Sequence, residues 1–194
     1  MSILDRHFQE LQMSGELVEI FREHTEANSA RLCRINAISD FAVYTTNFND
    51  GGEYDGIMIF RKDDITRVRW GDNELEAQRV LVERTKEIPV APEINLEDIV
   101  KIIESVQQQF GYVSIATEEL NDEVIYIGEV VSVDKDFLVL NEYGFKDALD
   151  RSMLILRIPE VTRIDADDKY QKTILYLHTQ SKKSLDSNGK QRLS

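Results

Sequence analysis

Four arginines are the residues whose type and placement in this chain could hold an anion. Arg61 and Arg67 lie in FRKDDITRV (60–68), and Arg157 and Arg163 lie in LRIPEVTRI (156–164), 96 positions later. A guanidinium presents a planar fork of donors that fits phosphate or carboxylate, so a repeated arginine marks either a nucleic-acid contact or a structural ion pair. These arginines stand among Asp63, Asp64 and Glu160. The expected arrangement is therefore a buried or half-buried Arg–carboxylate pair that staples the turn.

No other residues have the spacing of a reactive centre. His7, His24 and His178 are scattered, without a carboxylate or cysteine at ligand spacing, which argues against zinc and against histidine acid–base chemistry. DADDKY (165–170) gathers three carboxylates but lacks the alternating ligands and glycine of a calcium loop, and reads as a solvated turn. Gly51-Gly52 falls between predicted strands and offers no phosphate cradle ahead of a helix. Cys33 sits in a strand-like run as a small buried thiol, and Trp70 reads as a core or inter-unit contact. The expectation is a non-enzymatic protein with no cofactor or metal.

The elements that position the arginines follow from the repetition itself. At the offset of 96, Asp72 meets Asp168, Leu81 meets Leu177, Ile57 and Ile59 meet Met153 and Ile155, and Phe41 and Val43 meet Phe137 and Val139. Before about residue 39 the offset becomes 95, consistent with one residue inserted in the second copy's turn. Leu4, Phe8 and Leu11 fall on Ile99, Ile103 and Val106, the i, i+4, i+7 spacing of one helix face. Ser2 and Asn95 precede these helices with an Asp three residues on, a capping-box pattern. Strands are expected at LVEIF, ARLCRINAI, FAVYTTNF, GIMIFRKDDITRV and AQRVLVE, and at GYVSIAT, EVIYIGEVVSV, FLVLNEY, SMLILRIPEVTRI and KTILYLHT. Between the copies, RTKEIPVAPEIN reads as a linker because Pro89 and Pro92 lack N–H donors. The fold expected is mainly β with short helices: two tandem helix-plus-five-stranded small antiparallel barrels. Their bounds are 1–83 and 97–177, with a linker at 84–96 and a disordered tail at 178–194.

YIGEVVSVDKDFLVL resembles the first signature of the Sm-like fold, in which a glycine lets a bent strand pass, an aspartate follows, and an apolar strand returns. DRSMLILRIPEVTRI and YDGIMIFRKDDITRV resemble its second signature, an apolar strand ending in Arg-Gly before a short polar turn. The resemblance spans about 150 residues and implies an Sm-like or SH3-like barrel whose edges pair with neighbours. It assigns Arg61 and Arg157 to the family's base-partnering arginine, with Lys62 and Ile158 in place of its glycine. The family's base-holding Asn positions read Ala42 and Leu138, so half of that pocket is missing in both copies.

The formal charge is −13, a balance that repels phosphate backbones and membrane headgroups. The one cysteine allows no internal disulfide and fits a reducing compartment. MSILDRHFQELQ carries charges where a signal peptide needs an apolar run, and no window is long enough to span a membrane, so a cytoplasmic protein is expected. Lys182, Lys183, Lys190 and Arg192 make the tail locally basic. The function expected is a protein-interaction or assembly module with a protein partner or self-association. RNA is the alternative partner, disfavoured by charge.

Overall fold

The first helix starts where a serine satisfies a free backbone N–H. In the computed structural model, which describes residues 2–22, 30–85, 88–121, 124–144 and 150–190 (182–190 as backbone only), α1 spans Ile3–Ser14. Ser2 caps it, Asp5 returns the bond, and Gly15 closes it in the left-handed region at φ 65°. Then follow β1 (Val18–Arg22), β2 (Arg31–Ile38), β3 (Ala42–Phe48), β4 (Tyr54–Arg61), β5 (Ile65–Arg69) and α2 (Asn73–Arg84). The second half repeats the order with α3 (Ile99–Phe110), β6 (Val113–Ala116), β7 (Ile125–Val133), β8 (Phe137–Tyr143), β9 (Arg151–Arg157), β10 (Arg163–Ala166) and α4 (Lys169–Lys190).

Several elements differ from the sequence expectation, each for a local reason. The long run GIMIFRKDDITRV is two strands, because a 3-10 turn at Lys62–Asp64 breaks it; Ile158–Glu160, with Pro159 inside, breaks its counterpart. AQRVLVE and KTILYLHT are helical. Asp72 and Asp168 cap these helices by accepting from the N–H of Leu75 and of Gln171, and the buried residues recur at helical spacing: Leu75 and Val82, then Gln171, Ile174 and His178. α4 also runs through the segment expected to be a disordered tail; residues 191–194 lie outside the described residues. α3 starts a turn later than Asn95, with Asp98 as its cap.

The expectation of two separate barrels is overturned. All ten strands form one open antiparallel sheet in the order β5-β1-β2-β3-β4-β10-β6-β7-β8-β9. β4 and β10 would each be an unpaired edge if the halves stood apart, and here they satisfy one another's backbone groups. The core follows the same continuity. Ala42, Tyr44, Ile57 and Ile59 of the first half pack in one cluster with Ile102, Ile103, Leu138, Leu140 and Ile164 of the second. The Pro-containing connection takes part: Ile94 and Leu96 are buried in that cluster, and the Tyr44 hydroxyl donates to the Pro92 carbonyl at 3.0 Å.

Strand pairing also relocates the extra residue. Val18 pairs with Cys33 and Val113 with Gly128, and bulges fall at Ile35/Ala37 and Val130/Ser132, all at an offset of 95. Ala42 pairs with Arg61 and Phe137 with Arg157, so the offset is still 95 in the third strand and 96 in the fourth. The additional residue therefore lies between β8 and β9, and Phe137 is the counterpart of Ala42.

Candidate interaction edges

The two halves meet along β4 and β10, with Arg163 opposite Phe60, Ile164 opposite Ile59, Asp165 opposite Met58 and Ala166 opposite Ile57. A buried ionic network lies beside this ladder. The Arg22 guanidinium, from the end of β1, donates to Glu118 Oε1 at 2.5 Å. Arg163 donates to the same oxygen and, through Nε, to Asp165 Oδ2 at 2.8 Å. The turn after β6 delivers Glu118: its amide donates to Thr162 Oγ1 at 3.2 Å and its second carboxylate oxygen accepts from that hydroxyl at 2.8 Å. Burial alone would raise the Glu118 carboxyl; Arg163 and Arg22 more than reverse this and hold it below the usual carboxylate range. Burial likewise opposes the Arg163 charge, and Asp165 and Glu118 overcome it, leaving the guanidinium more firmly protonated than usual.

The four arginines singled out by repetition occupy different surroundings. Arg61 donates to Asp64 Oδ2 at 3.2 Å across its 3-10 turn and reaches Glu119 of the other half. Arg157, its counterpart, spans the equivalent turn to Glu160 at 3.4 Å and is exposed. Arg163 is in the buried network. Arg67 lies on the outer strand β5 with its guanidinium 3.7 Å from the Phe21 ring centroid. Ala42 and Leu138 are both core residues.

The remaining expectations resolve into structural roles. Asp165 pairs with Arg163, Asp167 with Lys172 at 3.1 Å, and Asp168 caps α4, so DADDKY is a set of assigned contacts and not a solvated turn. Gly52, at φ 76°, lets the β3–β4 turn rest on α2, where an added Cβ would lie 2.6 Å from the Leu81 carbonyl carbon. Cys33 is fully buried, and burial pushes its thiol far up. His7 contacts Glu10 at 3.1 Å and stacks obliquely near Trp70, which is partly exposed beside β5 and not in the core. His178 is buried edge-on to Tyr143, and His24 lies outside the described residues.

The sheet ends at β5 on one side and at β9 on the other, and residues around both ends have buried counterparts at the inner joint. Ile59 is 2% exposed and Ile155 66%; Ile57 is 2% and Met153 62%; Ala42 is 1% and Phe137 46%. Grooves show the same contrast. Between α3 and β10, the recess bordered by Ile102 and Val161–Ile164 is filled by Phe41, Ala42, Ile59 and Phe60 of the first half, leaving about 10 Å³. Between α1 and β5, the corresponding recess, with Leu4, Phe8, Ile65 and Val68 in its walls, is open at about 360 Å³.

Sequence reasoning missed Arg22 and Glu118, which no short motif joins to Arg163, and read Asp165 only as part of a solvated turn. It also missed the exposed face of β9, although SMLILR carried a usable signal. In it Met153 and Ile155 alternate with Leu154 and Leu156, so that both faces of the strand are apolar. No family profile, curated protein or solved structure matches the chain. Among the described residues, no helix is long and apolar enough to cross a membrane.

Proposed function

We infer that the protein is a non-enzymatic assembly module whose two sheet edges join copies of the chain head to tail. The carrying observation is the burial contrast between equivalent strands: the groove–strand contact made once inside the chain is left unmade at both ends. Placing β9 of one copy against β5 of the next in the inner register sets Arg67 opposite Leu156, Val68 opposite Ile155, Arg69 opposite Leu154 and Trp70 opposite Met153. Phe137 and Ile155 then enter the groove between α1 and β5. Such pairing needs backbone donors and acceptors plus apolar side chains, which both edges supply. RNA is not favoured: Arg61, Arg157 and Arg163 are engaged with carboxylates, and phosphate binding draws on clustered free cations.

Sedimentation of the wild-type chain over a range of concentrations tests this. The expected result is mass rising in multiples of the chain, with Phe137→Glu remaining folded and monomeric. A wild-type chain monomeric to its solubility limit contradicts the proposal. Salt-sensitive oligonucleotide binding that Arg61→Ala abolishes would contradict it in favour of RNA.

A further inference from the structure

We propose that the cleft between the β3–β4 turn and α4 binds a small planar aromatic anion of nucleoside-monophosphate type, separately from the sheet edges. The cleft is broad and open to solvent, with a volume of about 820 Å³, within the range of small-molecule sites. Its lining residues lie outside the paired residues of the β4–β10 ladder and outside β5 and β9. Tyr54 at the start of β4 and Tyr176 in the second turn of α4 both border it, with apolar surface from Ile88 and Pro89 between the elements. Tyr176 is 63% exposed, so its ring is available for stacking. Tyr54 is half-buried; burial, then the neighbouring Asp167 carboxylate, push its hydroxyl far up and keep it neutral.

Charges of both signs line the cleft, Glu53 next to Tyr54 on one wall and Lys169 and Lys172 on α4 with Tyr176. Glu53 accepts from Asn49 Nδ2 at 3.0 Å beside Tyr54. Lys169 and Lys172, one turn apart, stand on the opposite wall. Lys172 is held by Asp167 and lies 5.2 Å from the Tyr54 ring centroid. Lys169 makes no ion pair among the described residues and can turn its ammonium to a ligand. Asp168 occupies the amide of Gln171 at the helix start, so the lysines, not the free backbone, supply the anion contact. The net charge of −13 repels an extended polyanion but tolerates one phosphate group, which favours a mononucleotide over a nucleic-acid strand.

Calorimetric titration of the full chain with adenosine monophosphate, adenosine, inorganic phosphate and an oligoadenylate tests the assignment. Adenosine monophosphate is expected to bind with a Kd below about 1 mM, and adenosine and phosphate at least about tenfold more weakly. Tyr176→Ala and Lys169→Ala should each weaken binding roughly tenfold, the size of one base–aromatic stack, without changing the circular dichroism. Phe137→Glu should leave binding intact, since the edges are not involved. The proposal is overturned by no binding of the monophosphate at about 10 mM, far above the expected range. It is equally overturned if neither substitution matters, if adenosine binds as well, or if the oligoadenylate binds more tightly.

Discussion

Ile59 and Ile155 are the same amino acid at equivalent places in two strands, yet one is buried and the other stands 66% exposed. The difference lies in the neighbours. β4 has β10 beside it and the α3 groove over it; β9 has neither. β9 carries apolar residues on both faces, and within one chain Met153 and Ile155 on one of them stay exposed. A second contrast runs between the flanking helices. Leu17 and Leu75 pack together in the first half, whereas their counterparts Tyr112 and Gln171 are joined by a 3.1 Å hydrogen bond. The same helix-on-sheet contact is made once by apolar area and once by a buried polar pair.

The largest effect should come from the ionic network, which sharpens the contrast between inner joint and outer edge. Glu118→Ala leaves Arg22 and Arg163 buried without their shared carboxylate and should cost about 3–5 kcal/mol in urea unfolding. Glu160→Ala removes the partner of the exposed Arg157 and should cost less than about 1 kcal/mol. Equal losses would break the distinction. Because the folded Glu118 carboxyl is depressed, its contribution is present above the unfolded value of about 4.3 and is lost as pH falls through the lower folded one. Acid titration of stability should show this limb in the wild type and a shallower one in Glu118→Gln.

Next in size, Ile59→Ala should destabilise the monomer by about 2–5 kcal/mol through a cavity in the shared core. Ile155→Ala should stay within about 0.5 kcal/mol at concentrations where the chain is monomeric. Denaturant midpoints of the two variants make the comparison directly, and a large loss for Ile155→Ala would mean that its face is already covered. Smaller still, Tyr112→Phe removes a hydroxyl that donates to Gln171 and accepts from the Asp167 amide at 2.9 Å. A loss of about 1–2 kcal/mol is expected, while Leu17→Met, a volume-conserving change at the apolar counterpart, should cost under about 1.5 kcal/mol.

The offset of 96 between FRKDDITRV and LRIPEVTRI was legible in the sequence, and in the structure each stretch is interrupted by a 3-10 turn between two strands. The first helix was legible from Ser2, Asp5 and the spacing of Phe8 and Leu11. The helices in place of AQRVLVE and KTILYLHT were misread because Val, Leu and Tyr suit strands, although Asp72 and Asp168, already aligned by the offset, are helix caps. Joining of the halves was not legible: whether β4 finds β10 or another chain depends on geometry that two equal edges do not encode. The pairing of Arg22 with Glu118 has the same origin, since it arises only once the sheet is continuous. Of the four arginines, the turn-spanning pairs of Arg61 and Arg157 followed from nearby carboxylates, whereas the burial of Arg163 and exposure of Arg67 reflect their inner and outer strands.

Whether the outer edges use the inner register can be read by disulfide trapping between copies. In a Cys33→Ser background, chains carrying Val68→Cys are mixed with chains carrying Ile155→Cys under mild oxidation, with Thr66→Cys replacing Val68→Cys as the out-of-register control. The inner pair Ile164 and Ile59 predicts rapid formation of the mixed 68–155 disulfide and little of the 66–155 product, because bridging requires close Cβ atoms. Absence of the 68–155 product, or equal yields from both mixtures, would contradict head-to-tail pairing in this register.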